Sequence, residues 1–220
     1  SGVVPVPDDI PLDVACLIGC GVQTGVGAVL NTAGVAEGDT VVIFGLGGVG
    51  LSVVQGARLA SASRIIVSDP VPERRELALR LGATDAVDPG DADVVAAVLD
   101  LTGGLGVDWA FDAARRSALI AAGIDATRKG GTTVMVGVPG LDDPFTYPLP
   151  AILAVGEKKL IGSLLGSCHA RRDIPRFLDL ARAGQLDLPA LVTGHRPLDE
   201  LGAAFDDLRA GVGVRTVIDL

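Results

Sequence analysis

The sequence has 220 residues, of which 49% are apolar and 3% aromatic, and its mean hydropathy is +0.48. Its 18 basic and 27 acidic residues give a net charge of −9, which disfavours nucleic acid as a partner. No run approaches the ~18 apolar residues of a membrane span, so no membrane contact is predicted, and the apolar excess predicts a surface that another domain or subunit covers. An odd number of cysteines, three, and no secretory signal predict a reducing, cytoplasmic environment.

The chain starts with a Pro-containing segment that has no amphipathic pattern. A short apolar helix is predicted over residues 12–18, ending at the glycines that flank Cys20. A second helix is predicted over residues 25–31, with Thr24 as its N-cap and Gly34 near its end. Both helices precede the stretch on which the functional prediction depends.

That stretch contains a strand, a glycine turn, a helix, a second strand and an acid, in this order. Thr40–Phe44 is β-branched or apolar throughout, which is typical of a buried parallel strand. Glycines recur over residues 45–50 in the sequence GLGGVG, and residues 51–60 carry apolar side chains at helical spacing. The second strand is Arg64–Ser68, and Asp69 follows it directly.

Each part of this unit suits one part of a dinucleotide. Gly45 permits the tight turn, Gly47 lets the backbone approach a pyrophosphate, and Gly50 lets the helix pack close to the strand. The N–H groups and the positive dipole end of the helix then face the phosphates. Asp69, about 20 residues after the last glycine, can accept both adenosine ribose hydroxyls. The unit therefore predicts nucleotide binding, against the alternative of a glycine turn that serves close packing alone.

Helices and strands continue to alternate after this unit. They are predicted over residues 72–81, 85–87, 91–101, 107–111, 116–127, 132–138 and 159–164, with an extended segment over 139–150. The alternation predicts an α/β fold, a doubly wound parallel six-stranded Rossmann sheet in the order 3-2-1-4-5-6. A separate lobe is predicted from helices over 174–183 and 198–210 and strands over 191–195 and 214–219.

Five further motifs, in the same order, carry a resemblance to a known family. They are residues 17–25 (LIGCGVQTG), 80–88 (RLGATDAVD), 106–112 (GVDWAFD), 136–139 (VGVP) and 208–217 (LRAGVGVRTV). With the glycine turn, they resemble the zinc-dependent medium-chain alcohol dehydrogenases over essentially the whole chain. The resemblance implies an NAD-dependent enzyme that acts on an alcohol or aldehyde and forms a homodimer, for which the apolar residues 145–154 suit a subunit contact.

The resemblance also implies that the family's N-terminal GroES-like catalytic domain is missing from this sequence. Residues 1–21 and 165–220 then correspond to remnants of the catalytic domain, and residues 22–164 to the NAD-binding domain. Cys20 resembles the third catalytic zinc ligand, and Thr24 the threonine at the nicotinamide face. The residues that the resemblance places at the coenzyme are Gly45, Gly47, Gly48, Val49, Gly50, Asp69, Arg74, Val136, Val138, Leu165 and Arg215.

Within that set, Arg74 is expected to reach the adenosine ribose or phosphate, with a solvated helix arginine as the alternative. Arg215 resembles the arginine that pairs with the pyrophosphate. The sequence departs from the family at Arg115, where a glycine usually follows the fourth strand, and this departure puts the contacts of Arg116 in question.

Only Cys20 resembles one of the catalytic zinc ligands. Cys16 is predicted to pack in the core, and Cys168 and His169 match no ligand of the family. A single thiolate does not offset the free energy of stripping water from Zn²⁺, since such sites take three protein ligands. These 220 residues are therefore predicted to bind NAD, to hold no stoichiometric zinc and to oxidise no alcohol.

Three other functions share parts of this pattern. The chain as given can be an NAD-binding module without catalytic activity. An S-adenosylmethionine-dependent methyltransferase also uses a glycine turn and an acid after the second strand, but Cys20 and Arg215 would then have no role. Zinc-free quinone reductases share the predicted fold, and Cys20 argues against them.

Overall fold

The computed structural model of the protein describes residues 3–147 and 150–220. Its main sheet contains β1 (Thr40–Phe44), β2 (Arg64–Ser68), β3 (Asp85–Val87), β4 (Val107–Asp112), β5 (Thr127–Met135) and β6 (Lys159–Gly162). These strands are parallel and lie in the order β3-β2-β1-β4-β5-β6. The predicted Rossmann sheet and its strand order are therefore confirmed, and the strand before the glycine turn lies near the centre.

Helices connect and flank these strands. They are α1 (Leu12–Ala15), α2 (Gly21–Gly27), α3 (Gly48–Leu59), α4 (Pro72–Leu81), α5 (Val94–Leu101), α6 (Ser117–Ala126), α7 (Pro150–Val155), α8 (Ala170–Arg182) and α9 (Leu201–Ala210). Short helical turns extend α1 to Gly19 and α2 to Ala33. Among the described residues no single helix is long and apolar enough to cross a membrane, although the bent pair of α1 and α2, with these extensions, passes that test jointly.

Alternate residues of β1 face two separate apolar cores. Val41 and Ile43 pack in the larger core, together with residues of α2, α3 and α4. Val42 and Phe44 pack in the smaller core, together with residues such as Val98 of α5. Because both faces of β1 are covered by helices, the strand is apolar without alternation.

The helix α2 crosses α3 so closely that only glycine fits at the crossing. A Cβ on Gly25 would lie 2.8 Å from the Val53 amide nitrogen. The helix begins at Gly21, four residues before the predicted start, and the Thr24 amide donates to the Cys20 carbonyl oxygen at 3.0 Å. The prediction that Thr24 caps this helix is therefore wrong. Packing on α3 stabilises an extra turn that the local sequence does not predict.

The connection between β5 and β6 differs most from the prediction. The strand β5 runs over Thr127–Met135 and so ends three residues before the predicted end. The predicted extended segment over 139–150 leads into α7, a helix that was not predicted and that has no buried residue. Pro150 occupies its first position, where proline is favoured, and residues 148–149 lie outside the described part of the chain.

The C-terminal residues form a second, smaller sheet. Its two parallel strands, β7 (Val192–Pro197) and β8 (Arg215–Asp219), are joined by α9. Neither these strands nor α9 contains a buried residue, and apolar side chains such as Phe205 are exposed. The predicted elements of this lobe are found within a few residues of their expected bounds. The division at residues 21 and 164 stays a prediction.

Candidate coenzyme site

The turn between β1 and α3 is shaped by two glycines at positions without room for a side chain. Gly45 has a φ of +87°, and its amide donates to the Ser68 carbonyl oxygen at 2.8 Å, which ties the end of β1 to β2. A Cβ on Gly45 would meet atoms of Ala114 at 2.8–2.9 Å, and one on Gly50 would overlap the Gly45 carbonyl oxygen. The turn is therefore tight, and α3 packs directly against it.

Gly47, in contrast, has open space where a side chain would stand. No heavy atom lies within 4 Å of its Cβ position, and its φ of −69° is one that other residues adopt. It is the N-cap of α3, and its carbonyl oxygen accepts the Leu51 amide at 3.0 Å. The N-terminal N–H groups of α3 lack partners within the helix at this open position, which therefore suits an anionic group.

The carboxylate of Asp69 joins the end of β2 to the glycine turn. The side chain is only 5% exposed, and its Oδ2 atom accepts the Leu46 amide at 2.7 Å. Its Oδ1 atom accepts the Val71 amide at 2.9 Å. A carboxylate has about four lone-pair positions, so these two bonds leave it able to accept hydroxyl groups as well.

The guanidinium group of Arg215 lies against the first residue of α3. A Cβ on Gly48 would overlap it, and a Cβ on Gly21 would lie 2.9 Å from one of its terminal nitrogens. Arg215 is half-buried, and its guanidinium group has no hydrogen bond or ion pair with any residue in the ranges 3–147 and 150–220. A cation without an acidic partner therefore stands beside the N-terminus of α3.

Arg74 has partners that the sequence did not predict. Its guanidinium group donates to the carbonyl oxygens of Gly211 and Gly213, which belong to the loop between α9 and β8. The alternative of a solvated helix arginine is not what the structure contains. A direct contact of Arg74 with the coenzyme stays a prediction.

The other predicted residues lie near the carboxyl ends of β1, β5 and β6, or on α2 beside them. Val136, just after β5, is buried, whereas Val138 is 77% exposed. Leu165, in the turn after β6, has a φ of +48° and is also exposed. Thr24 on α2 is nearly buried, and Val49 is half-buried in the first turn of α3. The carboxyl edge of a doubly wound sheet is where its ligands bind.

A family model described as a zinc-binding dehydrogenase matches residues 48–183, more than half of the chain. The chain belongs to the zinc-binding dehydrogenase family. Its similar curated proteins include S-(hydroxymethyl)glutathione dehydrogenases from Escherichia coli, 41% identical over 207 residues, and from Synechocystis sp., 39% identical over 206 residues. Both alignments cover 92% of this chain and 55% of the relative, so the chain spans about half the length of these relatives.

Solved structures agree with this assignment. An alcohol dehydrogenase zinc-binding domain protein from Burkholderia ambifaria superposes with a TM-score of 0.92 at 37% identity, over 98% of this chain and 57% of that chain. Benzyl alcohol dehydrogenase from Acinetobacter calcoaceticus superposes with a TM-score of 0.94 at 33% identity, over 99% of this chain and 59% of that chain. The fold of the chain is therefore shared by parts of longer chains.

The residues of the described part of the chain do not by themselves fit a catalytic zinc. Cys20 is exposed on the turn between α1 and α2. Within the described ranges, no group of three or more His, Cys, Asp or Glu side chains is arranged to hold a metal ion. A catalytic zinc needs three protein ligands, so Cys20 alone does not form such a site here.

The other two cysteines lie in places that the sequence did not indicate. Cys16 was predicted in the core, but it is exposed, and its thiol donates to the Asp13 carbonyl oxygen at 3.1 Å. That prediction is wrong because α1 is only four residues long and buries Ala15 instead. The Cys168 loop folds back onto α2, where its thiol lies 3.4 Å from the Gln23 carbonyl oxygen. Burial raises the pKa of the Cys168 thiol to about 11.

One buried acid near the glycine turn was not predicted as a site residue. Asp112 ends β4 and is fully buried. Its Oδ1 atom accepts the Ala114 amide at 3.0 Å, and no hydrogen-bond partner for Oδ2 lies among the described residues. Burial raises the pKa of Asp112 to about 6. An acid at the end of β4, next to the strand of the glycine turn, was the available signal.

Proposed function

We propose that this chain is the NAD-binding portion of a zinc-dependent alcohol dehydrogenase. The observation that carries the proposal is the unpaired Arg215 guanidinium group beside the open N-terminus of α3. A pyrophosphate carries two negative charges, which the helix N-terminus and a guanidinium group bind together. The open position at Gly47 leaves room for it, and the similarity to alcohol dehydrogenases supports the same function.

We assign the two halves of the coenzyme to the two sides of the glycine turn. Asp69 accepts the adenosine ribose hydroxyls in addition to its two backbone amides. The nicotinamide half lies toward the carboxyl ends of β5 and β6. The residues that line this region are Val49, Val136, Val138 and Leu165, and Thr24 lies at the face of the nicotinamide ring. Bound NAD supplies the hydride acceptor, and these residues of the chain orient its ring.

The substrate and the metal belong to the same proposal. We assign Cys20 as one zinc ligand of the complete enzyme, with the other ligands and most of the substrate pocket outside these 220 residues. The length of the relatives, nearly twice that of this chain, supports this division. The substrate is a small alcohol or aldehyde, and the three free cysteines support a cytoplasmic enzyme.

A second candidate function is an NAD-binding module that catalyses nothing as given. Cys20 offers only one thiolate and no metal-holding group lies in the described part of the chain, which favours this function for the 220 residues alone. A turnover assay with alcohols and aldehydes beside an NAD titration separates the two. Binding without turnover is expected for this chain.

The coenzyme site is tested by calorimetric NAD titration of matched glycine variants. Gly47→Ala places a methyl group in the open position, so NAD affinity falls by about tenfold while the free energy of unfolding changes by less than ~0.5 kcal/mol. Gly202→Ala, another glycine with free space at its Cβ position, leaves affinity unchanged. Gly50→Ala lowers stability because its Cβ overlaps the Gly45 carbonyl oxygen. A wild-type chain that binds no NAD would refute the proposal.

A further inference from the structure

The side chain of Arg74, on α4, holds the loop that leads into β8. Its Nη2 atom donates to the carbonyl oxygens of Gly211 and Gly213 at 2.8 Å each, and its Nε atom donates to Gly213 at 3.1 Å. Hydrogen bonds from a charged donor are about twice as strong as neutral ones. The C-terminal loop is thus fixed to the six-stranded part of the fold through one side chain.

This loop needs such a support because its own backbone is permissive. Gly211 has a φ of +74° and Gly213 a φ of +66°. Glycine adopts such positive values readily, but it adopts many other backbone conformations as readily. Val212, between them, is exposed and adds no apolar burial. Ordering each residue of such a loop costs roughly 1–2 kcal/mol of conformational entropy, which contacts from outside the loop must offset.

A second support comes from the opposite side of the loop. The Thr193 hydroxyl on β7 accepts the Val214 amide at 2.7 Å and the Arg215 amide at 3.2 Å. The loop is therefore held between α4 and β7 just before the residue whose guanidinium group lies against Gly48. Arg74 is therefore connected to the start of α3 by a chain of contacts through this loop and through Arg215.

We infer that Arg74 is a positioning residue that acts on the coenzyme through Arg215. By fixing the carbonyl groups of Gly211 and Gly213, it sets where β8 begins and holds the Arg215 guanidinium group at the N-terminus of α3. The inference rests on the proposed function, since the ligand at that position is the pyrophosphate of NAD. A direct contact between Arg74 and the adenosine ribose is the competing role.

A double-mutant cycle tests the inference, with ADP-ribose and adenosine as the probes in calorimetry on the full 220-residue chain. Arg74→Met is expected to weaken ADP-ribose binding roughly tenfold and Arg215→Met at least as much. In the double variant, Arg74→Met is expected to weaken ADP-ribose binding by less than about twofold beyond Arg215→Met alone, because both substitutions act through the Arg215 guanidinium group. Adenosine, which lacks phosphate, binds the Arg74→Met variant as it binds the wild type.

Matched variants separate positioning from a general loss of structure. Arg74→Lys retains a charged donor but not the planar group that reaches both loop carbonyls, so its ADP-ribose affinity is expected between those of the wild type and of Arg74→Met. Arg80→Met removes an exposed arginine from the same helix and leaves affinity unchanged. Additive losses in the cycle, or an equal loss of adenosine affinity in Arg74→Met, would overturn the inference in favour of a direct contact.

A measurement without ligand tests the positioning role of Arg74 separately from the proposed function. Amide hydrogen exchange at Val214 and Arg215 is expected to accelerate in Arg74→Met and to stay unchanged in Arg80→Met. If the wild type binds neither NAD nor ADP-ribose, the proposed function fails, whereas unchanged exchange in Arg74→Met defeats the positioning role. The two failures are therefore distinguished by different experiments.

Discussion

The Oδ2 atom of Asp69 accepts the Leu46 amide at 2.7 Å, so the acid that follows β2 also holds the glycine turn in shape. The same carboxylate accepts the Val71 amide through its other oxygen. Asp69 therefore stabilises the glycine turn in the absence of a ligand. Its charge is fixed in place by two backbone bonds, and a ligand that approaches the end of β2 meets it without rearrangement.

Asp69 is expected to make the chain prefer NAD over NADP by tenfold or more. Two like charges about 4 Å apart, at an effective dielectric constant near 20, repel by about 4 kcal/mol, and screening reduces this figure. Asp69→Asn removes the charge and is expected to reduce the preference. Asp91→Asn, in an exposed turn, serves as the control. Calorimetric affinities for NADP equal to or tighter than those for NAD would refute the assignment.

Asp112 is expected to make the chain less stable as the pH rises from about 4 to 6. Burial raises its pKa in the folded state to about 6, above the ~3.9 of an unfolded chain, so the folded state binds more protons in this window. Asp112→Asn removes this dependence. Between pH 4.5 and 7.5, the wild type is expected to lose about 2 kcal/mol more unfolding free energy than the variant in urea titrations. Equal losses would contradict the expectation.

Asp108, on the same strand, provides a contrast to Asp112 because its pKa is shifted in the opposite direction. Burial raises the pKa of Asp108, but hydrogen bonds from Thr40 and Arg128 lower it by more, so its pKa lies below the usual range. Its contribution is present above about pH 4 and is lost only as the pH falls further. Asp108→Asn therefore provides a control whose pH dependence changes below the Asp112 window.

The sheet was predictable because its strands carry their own signals. Thr40–Phe44 is β-branched or apolar throughout, and a helical pattern separates each of the first five strands from the next, which favours parallel order. Thr24 and Cys16 were misplaced because tertiary packing decides their positions. The extent of α2 depends on its close crossing with α3, and the exposure of Cys16 on how short α1 is.

Two features of the site lay beyond sequence reasoning. Arg74 contacts residues more than 130 positions away, and no local pattern predicts which carbonyl groups a helix arginine will meet. The buried Oδ2 atom of Asp112 depends on how tightly Ala114 and the turn after β4 pack on Gly45. In that turn Arg115 keeps a φ of +61°, so the left-handed backbone persists although the residue there is not glycine.

The purified 220-residue chain is expected to contain no stoichiometric zinc after dialysis. Cys20 offers one thiolate, whereas catalytic zinc takes three protein ligands. Elemental analysis of the wild type and of Cys20→Ala measures this, with Cys16→Ala as a second exposed thiol for comparison. One zinc per chain that is lost only in Cys20→Ala would show that the ligand set is wrong.

The chain is expected to form a homodimer through the region around β6 and α7. A cavity of about 460 Å³ lies there, at the amino ends of β4, β5 and β6, lined by apolar side chains such as Leu105 and Ile152. Val155, also in its lining, is 80% exposed. Val155→Asp is expected to give a monomer by light scattering at tens of micromolar, whereas Leu79→Asp, on α4, stays dimeric. A monomeric wild type would count against the dimer.

The position of Arg215 late in the chain implies that the main sheet forms before the Arg215 side chain reaches Gly48. All six strands of the main sheet are complete by Gly162, and their most distant pairing, β1 with β4, joins residues 68 positions apart, such as Val41 and Trp109. The guanidinium group against Gly48 comes from β8 instead, so it closes a loop of well over a hundred residues. Long-range closure is slow relative to local structure. During refolding, far-UV circular dichroism of the sheet should therefore recover before the chain regains its affinity for coenzyme.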